Sequence, residues 1–315
     1  MSISKLLSKN LFMDELELRS FSLSSPYRYK VYKIPKRNSK ELRTIAHPSK
    51  ELKFVQRLIV RELGQLLPVS EAATAYMKGI SIRDNALVHS NTRYLLKMDL
   101  KNFFPSITPE IFFNECLRAG VEFEQLDIDL LRGFLFWRPR RSKKLILSIG
   151  APSSPLVSNF ILNQFDENII NFCKTIGVRY SRYADDMTFS TDIKGVLFTF
   201  PLMIKKILKT LYGNSIKINQ DKTVFASKAH NRHVTGVTLS NDGCVTVGRE
   251  SKRKISASIH HFSLGILQPN NIIQLKGLFA HSTFIEPKLK NQMVEKYGIE
   301  IIERLMSYQP NDLKK

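Results

Sequence analysis

Hydrophobic and polar residues alternate along Tyr29-Lys30-Val31-Tyr32-Lys33-Ile34. A period of two is that of a strand, and Arg43-Thr44-Ile45 begins a second one. The period then changes. After Pro48 and Ser49, apolar residues fall at Leu52, Val55, Leu58, Ile59 and Leu63, the spacing of a helix running to about Leu67. Tyr94 to Asp99 is an apolar run ending in an acid, read as a buried strand. Thr108-Pro109-Glu110 offers a capping hydroxyl, a proline suited to the first turn and an acid favoured by the helix dipole, so a helix starts there and stops at Gly120. One long helix is predicted over 154–176, ended by Gly177. Val178 to Tyr183 and Met187 to Ser190 flank Ala184-Asp185-Asp186, which predicts a hairpin with acids at its tip. A helix to Tyr212 follows, then strands around 216–218, 224–226, 234–239 and 245–247. From Arg249 onward the pattern is helical, broken near Pro269 and Pro287.

This order predicts an α+β fold, with helices packed on one face of a small antiparallel sheet and a separate helical C-terminal third. The 315 residues are enough for two or three subdomains. Charge changes the picture most. Lys and Arg number 48 against 28 acids, a formal net charge of +20, which points to a polyanionic partner such as nucleic acid. Basic residues crowd 28–43, where Arg28, Lys30, Lys33, Lys36, Arg37, Lys40 and Arg43 stand against one acid. The three cysteines are scattered without a C-x-x-C pair, which argues against a disulfide framework or a structural zinc site and fits a cytoplasmic protein. His230 and His233 lack partners for a metal and read as surface residues. No stretch reads as a signal peptide or a membrane span.

Candidate chemistry concentrates in acids. Asp99 ends one strand, and Asp185 with Asp186 caps a hairpin. If their strands pair, the carboxylates converge. Magnesium takes oxygen ligands and keeps several waters, so a few carboxylates plus substrate phosphates suffice for two ions, which together activate a hydroxyl and stabilise a leaving oxygen. An acidic pair at a turn alone reads equally as solvated surface.

The surrounding motifs narrow this. Tyr183-Ala184-Asp185-Asp186 resembles the Tyr-x-Asp-Asp signature of reverse transcriptases. Met98-Asp99-Leu100-Lys101-Asn102-Phe103-Phe104-Pro105-Ser106-Ile107 resembles their first catalytic motif, and Gly150-Ala151-Pro152-Ser153-Ser154-Pro155 the motif that supports template and nucleotide. The resemblance covers most of residues 27–247. It implies a right-hand polymerase with fingers, a ferredoxin-like palm and a helical thumb. Residues 1–93 would form N-terminal helices and fingers, 94–247 the palm with fingers elements around 120–150, and 248–315 the thumb. It implies two magnesium ions on Asp99, Asp185 and Asp186. Phe104, five positions after Asp99, matches the steric gate against a ribose 2′-hydroxyl, while Phe103 reads as core. Arg43 resembles the arginine that grips the incoming triphosphate, and a plain surface arginine reads almost as well. Gly150 belongs to the nucleotide site. Lys222 matches the lysine that protonates the leaving pyrophosphate, and a solvated lysine fits equally. One position departs from the pattern: Ile149 stands where the family commonly has glutamine, which touches template contacts and fidelity.

Two further elements resemble those of bacterial retron reverse transcriptases: Asn85-Ala86-Leu87-Val88-His89 and Val234-Thr235-Gly236. With Arg249, Lys252 and Arg253 at the start of the last helical segment, they are candidate RNA-binding residues. So are Arg140, Arg141, Lys143 and Lys144, in an acid-free run with Phe134, Phe136 and Trp137 as candidate stacking partners. A solvated basic loop is the alternative for that run. The retron likeness implies a structured non-coding RNA as template and primer, a guanosine 2′-hydroxyl as the priming group, a branched RNA–DNA product, dNTP substrates, a separate effector protein and a role in anti-phage defence. The rivals are a stand-alone group II intron-like reverse transcriptase and a non-catalytic RNA-binding scaffold.

Overall fold

The computed structural model describes residues 2–36 and 41–309; Arg37, Lys40 and residues 310–315 of the last predicted segment lie outside them. Two N-terminal helices, α1 (Ile3–Leu11) and α2 (Glu15–Ser24), precede the strands β1 (Tyr29–Pro35) and β2 (Leu42–Pro48). Helices α3 (Lys50–Leu66) and α4 (Ile82–Val88) lead to β3 (Tyr94–Leu100). Then come α5 (Phe103–Ser106), α6 (Pro109–Arg118), α7 (Gln125–Leu135), α8 (Ser154–Ile161) and α9 (Asn163–Thr175). The acidic hairpin is β4 (Arg179–Tyr183) and β5 (Asp186–Thr191), followed by α10 (Phe200–Tyr212) and β6 (Ile218–Ser227). Three short strands, β7 (Arg232–Val234), β8 (Val237–Leu239) and β9 (Val245–Thr246), lead to α11 (Arg249–Ser263), α12 (Pro269–Ile285), α13 (Lys288–Tyr297) and α14 (Ile299–Ser307). No described helix is long and apolar enough to cross a membrane.

The amphipathic pattern of α3 is realised as read: Leu52, Val55, Leu58, Ile59 and Leu63 are buried, and Ser49 caps its start by accepting from Leu52 N–H. The one polar residue in that stripe, Gln56, donates to the Phe134 carbonyl at 2.8 Å and to the Tyr29 hydroxyl at 3.0 Å, which offsets the cost of burying an amide.

The alternation read over 29–34 is realised as strand β1. Among the described residues it pairs with β2 alone; Val31, Tyr32 and Ile34 are exposed, while Ile45 and Ala46 of β2 are buried. Other expectations need correction. Thr108 precedes α6 without a side-chain capping bond, so proline and the acid carry that helix start. The single helix over 154–176 is two helices interrupted at Leu162. The Tyr212 hydroxyl donates to the Ile161 carbonyl at 2.7 Å and Arg182 reaches the Asn159 carbonyl at 3.4 Å, so side chains take carbonyls the helix ladder would use. One ten-residue strand, β6, takes in Ile218 and 224–226, while Ile216 and Lys217 precede it. Its polar middle, Asn219 to Thr223, reflects an edge position with largely exposed residues rather than a break. Residues 234–239 are a hairpin, not one strand: Thr235 and Gly236 both have positive φ (48° and 84°), the two-residue turn that matches strand twist.

The main sheet has the order β4-β5-β3-β6, so β3 lies between the strands carrying Asp186 and Lys222. The chain divides into two compact units. The first comprises residues 1–80, 96–189 and 193–224, the second residues 81–95, 190–192 and 225–315. In the first, buried Phe112, Phe134, Phe136 and Phe160 are core residues, with Phe112 edge-on to Phe136 and Phe160. The second has two cores. One joins α11 to α14 through Ile255, Ile259, Leu275, Phe279, Leu289 and Leu305. The other packs Ala86 and Leu95 against Val234, Val237, Leu239 and Val245.

Candidate active site

The order of the sheet brings the acids together. Leu100 N–H donates to the Asp185 carbonyl at 3.1 Å, setting the end of β3 beside the β4–β5 turn. Asp99 is 5% exposed. Its two oxygens accept from Lys222 Nζ at 2.8 Å and Asn219 Nδ2 at 3.2 Å, both on β6. Burial, then the Asp99 charge, pushes the Asp185 carboxyl above the usual range. Asp186, an exposed residue at the start of β5, is lifted to about 6 by desolvation and by the charges of Asp185 and Asp99. Partial burial works against the Lys222 ammonium, but Asp99, Asp185 and Asp186 outweigh it and hold Lys222 above its ordinary value. Asp185 and Asp186 thus both feel the Asp99 charge, and Lys222 is in contact with Asp99.

The neighbouring predicted residues fall around this cluster within the first unit. Arg43 lies exposed on β2, and its charge is felt at Asp185. Gly150 sits against β2: Ala46 N–H donates to the Ile149 carbonyl at 3.0 Å, and a Cβ on Gly150 would come within 3.1 Å of Ile45 Cγ2 and 3.4 Å of the Ala46 carbonyl. With φ at +117°, the position suits glycine on both counts. Ile149 is held by that backbone bond. Phe103 is 2% exposed and core, while Phe104, edge-on to it at 5.7 Å, is half-buried.

The RNA-binding candidates divide. Arg140, Arg141, Lys143 and Lys144 are exposed on the loop closed by the Trp137–Ile146 bridge. Phe134, Phe136 and Trp137 are buried (0%, 0% and 8% exposed), so they cannot stack on bases; they pack the core beneath the loop. In the second unit, Asn85, His89 and Val234 are also buried (1%, 0% and 0%), which overturns direct RNA contact for these three. His89 Nδ1 is 2.7 Å from Ser190 Oγ, and Asn85 donates to Thr235 Oγ1 at 3.5 Å. The two retron-like elements therefore meet: the helical one supports the β7–β8 turn, leaving Gly236 exposed. Arg249 and Arg253 are exposed on α11, whereas Lys252 is paired with Glu286 at 2.5 Å and is only partly available to a phosphate.

A family model described as reverse transcriptase (RNA-dependent DNA polymerase) matches residues 34–239. The Retron Ec83 reverse transcriptase of Escherichia coli is 45% identical over 282 residues, covering 89% of this chain and 90% of that protein. The Retron Ec73 reverse transcriptase of the same species is 31% identical over 291 residues, again covering 89% and 90%. The chain belongs to the retron reverse transcriptases. A telomerase from Candida tropicalis in complex with a TWJ fragment of telomeric RNA shares the fold, with a TM-score of 0.50 at 12% identity over 88% of this chain and 55% of that one.

This retron reverse transcriptase is an RNA-directed DNA polymerase, an activity that uses divalent metal ions. Its carboxylate cluster supplies hard oxygen donors of the kind such ions prefer. Two neighbours of the cluster escaped the sequence reading. Asn219 holds Asp99 from the polar stretch between two predicted strands. Tyr76, a non-glycine residue at φ +64°, is 55% exposed and lies within reach of the Asp185 and Arg43 charges; a lone tyrosine in an irregular segment gives no signal that would single it out.

Proposed function

We propose that this enzyme copies a structured non-coding RNA into DNA from a guanosine 2′-hydroxyl, giving a branched RNA–DNA product, with Asp99, Asp185 and Asp186 holding two magnesium ions. The supporting observation is the convergence of β3 and the β4–β5 turn through Leu100 and Asp185. Among the described residues no three His, Cys, Asp or Glu side chains close into a cage by themselves, so each ion would complete its shell with water and substrate phosphate, as magnesium does. When bound, the ions activate the attacking hydroxyl and stabilise the leaving oxygen. Both Asp99 oxygens already accept one bond each and keep further lone pairs for this role.

The protein's own groups do the rest. Arg43 presents a fork of N–H donors to the triphosphate. Gly150 lets β2 and the nucleotide-supporting segment approach closely. Lys222, kept protonated by the acids around it, supplies a proton to the leaving pyrophosphate. Phe104 offers an aromatic surface under the sugar, where a 2′-hydroxyl would clash. In this reading the four-stranded sheet would serve as palm, the β1–β2 ribbon as part of the fingers and α11 to α14 as thumb. The enzyme works in the cytoplasm alongside a separate effector protein in anti-phage defence.

The direct test is extension of a primer on an RNA template by the purified protein with dNTPs and magnesium. DNA synthesis by the wild type and none by Asp185→Asn supports the reading. Synthesis by neither overturns it. If Phe104 is the gate, Phe104→Ala raises ribonucleotide incorporation relative to deoxyribonucleotide by about tenfold or more, a differential of about 1.4 kcal/mol. Phe103→Ala instead lowers stability by about 3–5 kcal/mol through lost core packing. Unchanged sugar preference in folded Phe104→Ala protein removes the gate. Reversing charge at Arg140, Arg141, Lys143 and Lys144 flattens the plot of log RNA affinity against log salt, by up to about 0.7–0.9 in slope for each lost phosphate contact. An unaltered slope puts the RNA elsewhere.

A further inference from the structure

A buried charge lies behind the acidic turn and contacts none of the three carboxylates gathered there. Arg182 on β4 and Asp166 on α9 are both 0% exposed. All five guanidinium N–H groups find acceptors. Nε lies 3.0 Å from each Asp166 oxygen. Nη2 donates to Asp166 Oδ2 at 2.6 Å and to the Asn159 carbonyl at 3.4 Å. Nη1 donates to Asn159 Oδ1 at 3.2 Å and to the Ala184 carbonyl at 2.9 Å. Asp166 also accepts from the Tyr180 hydroxyl at 2.7 Å, and Asn159 donates onward to the Ala75 carbonyl at 2.8 Å. The Arg182 backbone is committed too: its N–H donates to Ala72 at 2.7 Å, and its carbonyl accepts from Thr74 N–H at 2.8 Å and the Thr74 hydroxyl at 3.0 Å.

A buried ion pair is often no more stabilising than a well-packed apolar pair, so its presence here calls for a reason beyond stability. The turn supplies one. Ala184 has φ +56°, a left-handed conformation that a residue with a Cβ avoids unless its surroundings impose it. The Ala184 carbonyl is held by Arg182, and the Asp185 carbonyl by Leu100 N–H at 3.1 Å. These are the peptide planes on either side of the Asp185 Cα. With both fixed, the direction in which the Asp185 side chain leaves the backbone is fixed as well.

We propose that Arg182 is a positioning residue for DNA synthesis: anchored by Asp166 and Asn159, it holds the Ala184 peptide so that Asp185 faces the reaction in a single orientation. Lysine keeps the charge but lacks the planar fork, and cannot reach Asp166, Asn159 and Ala184 together. The inference rests on Asp185 taking part in the reaction.

The test compares Arg182→Lys with wild type in kcat per titrated active site, KM for dNTP, RNA affinity and amide hydrogen exchange across residues 183–187. The control is Leu208→Ala, a core change in α10 chosen to lower stability. Positioning predicts that Arg182→Lys loses about tenfold or more in kcat, keeps KM and RNA affinity within about threefold, and exchanges faster at the turn. Leu208→Ala keeps wild-type kcat per titrated site and wild-type exchange at the turn. Wild-type kcat or unaltered exchange in Arg182→Lys overturns the proposal, as does a Leu208→Ala protein showing both changes. Should Arg182→Lys not fold, Asn159→Ala leaves the ion pair and removes one anchor. It then shows a several-fold loss of kcat with faster exchange at the turn, and wild-type behaviour overturns the proposal. Full synthesis by Asp185→Asn would instead remove Asp185 from the reaction, while exchange at the turn still decides whether Arg182 holds it.

Discussion

Asp185→Asn is expected to lower DNA synthesis by at least about a thousandfold, a barrier change of about 4 kcal/mol, without weakening RNA binding. The substitution nearly preserves shape but removes one of three charged oxygen donors that β3 and the β4–β5 turn bring together. RNA affinity is expected to come from Lys and Arg contacts to phosphates, which loss of one acid does not weaken. Mutual repulsion among Asp99, Asp185 and Asp186 works against folding, so the variant is expected to melt at or above the wild-type temperature. That separates lost chemistry from lost structure. Primer extension, RNA binding and thermal melting on one preparation check all three parts; extension at the wild-type rate would remove Asp185 from the metal site.

The second large effect is expected at the β7–β8 turn. Gly236 has φ +84° and an exposed position, and Thr235 has φ +48°. Gly236→Val places a β-branched residue where its backbone is disfavoured and changes the turn that α4 supports through Asn85. If this turn recognises the cognate RNA, the self-primed product falls about tenfold or more, while extension of an annealed oligonucleotide stays within about threefold. His89→Ala acts on the same unit from inside, by leaving Ser190 beside a cavity, and is expected to shift both stability and self-priming. Equal losses in the two reactions would deny the turn a role in choosing the RNA.

The elements most legible in the sequence were those whose period and punctuation agreed. The α3 stripe, the Asp99 strand and the acidic hairpin all declared themselves through local pattern. What failed was decided by tertiary partners. The break at Leu162 depends on Tyr212 and Arg182 taking carbonyls from α8, which no local pattern announces. The middle of β6 fell between two predicted strands because an edge strand tolerates the polar residues Asn219 to Thr223 along its length. The aromatic residues beside the basic loop looked available to bases, yet Phe134 and Phe136 are fully enclosed by the helices around them. At the site, Asp99, Asp185 and Asp186 stood out because the motifs around them resemble those of a known family; an acidic pair at a turn alone reads equally as solvated surface. Arg182 and Asp166 were not, since a charged pair in sequence looks the same whether solvated or buried. Asn85 and His89 were found as a motif, but burial changes their part from touching RNA to supporting the segment that would.

The most direct measurement is of the nucleic acid that the enzyme carries from cells expressing it together with its cognate non-coding RNA. The expected result is a short single-stranded DNA joined to that RNA through a guanosine 2′ oxygen, released by a debranching enzyme and absent when Asp185→Asn replaces the wild type. Unbranched DNA, or the same branched species with Asp185→Asn, would contradict it.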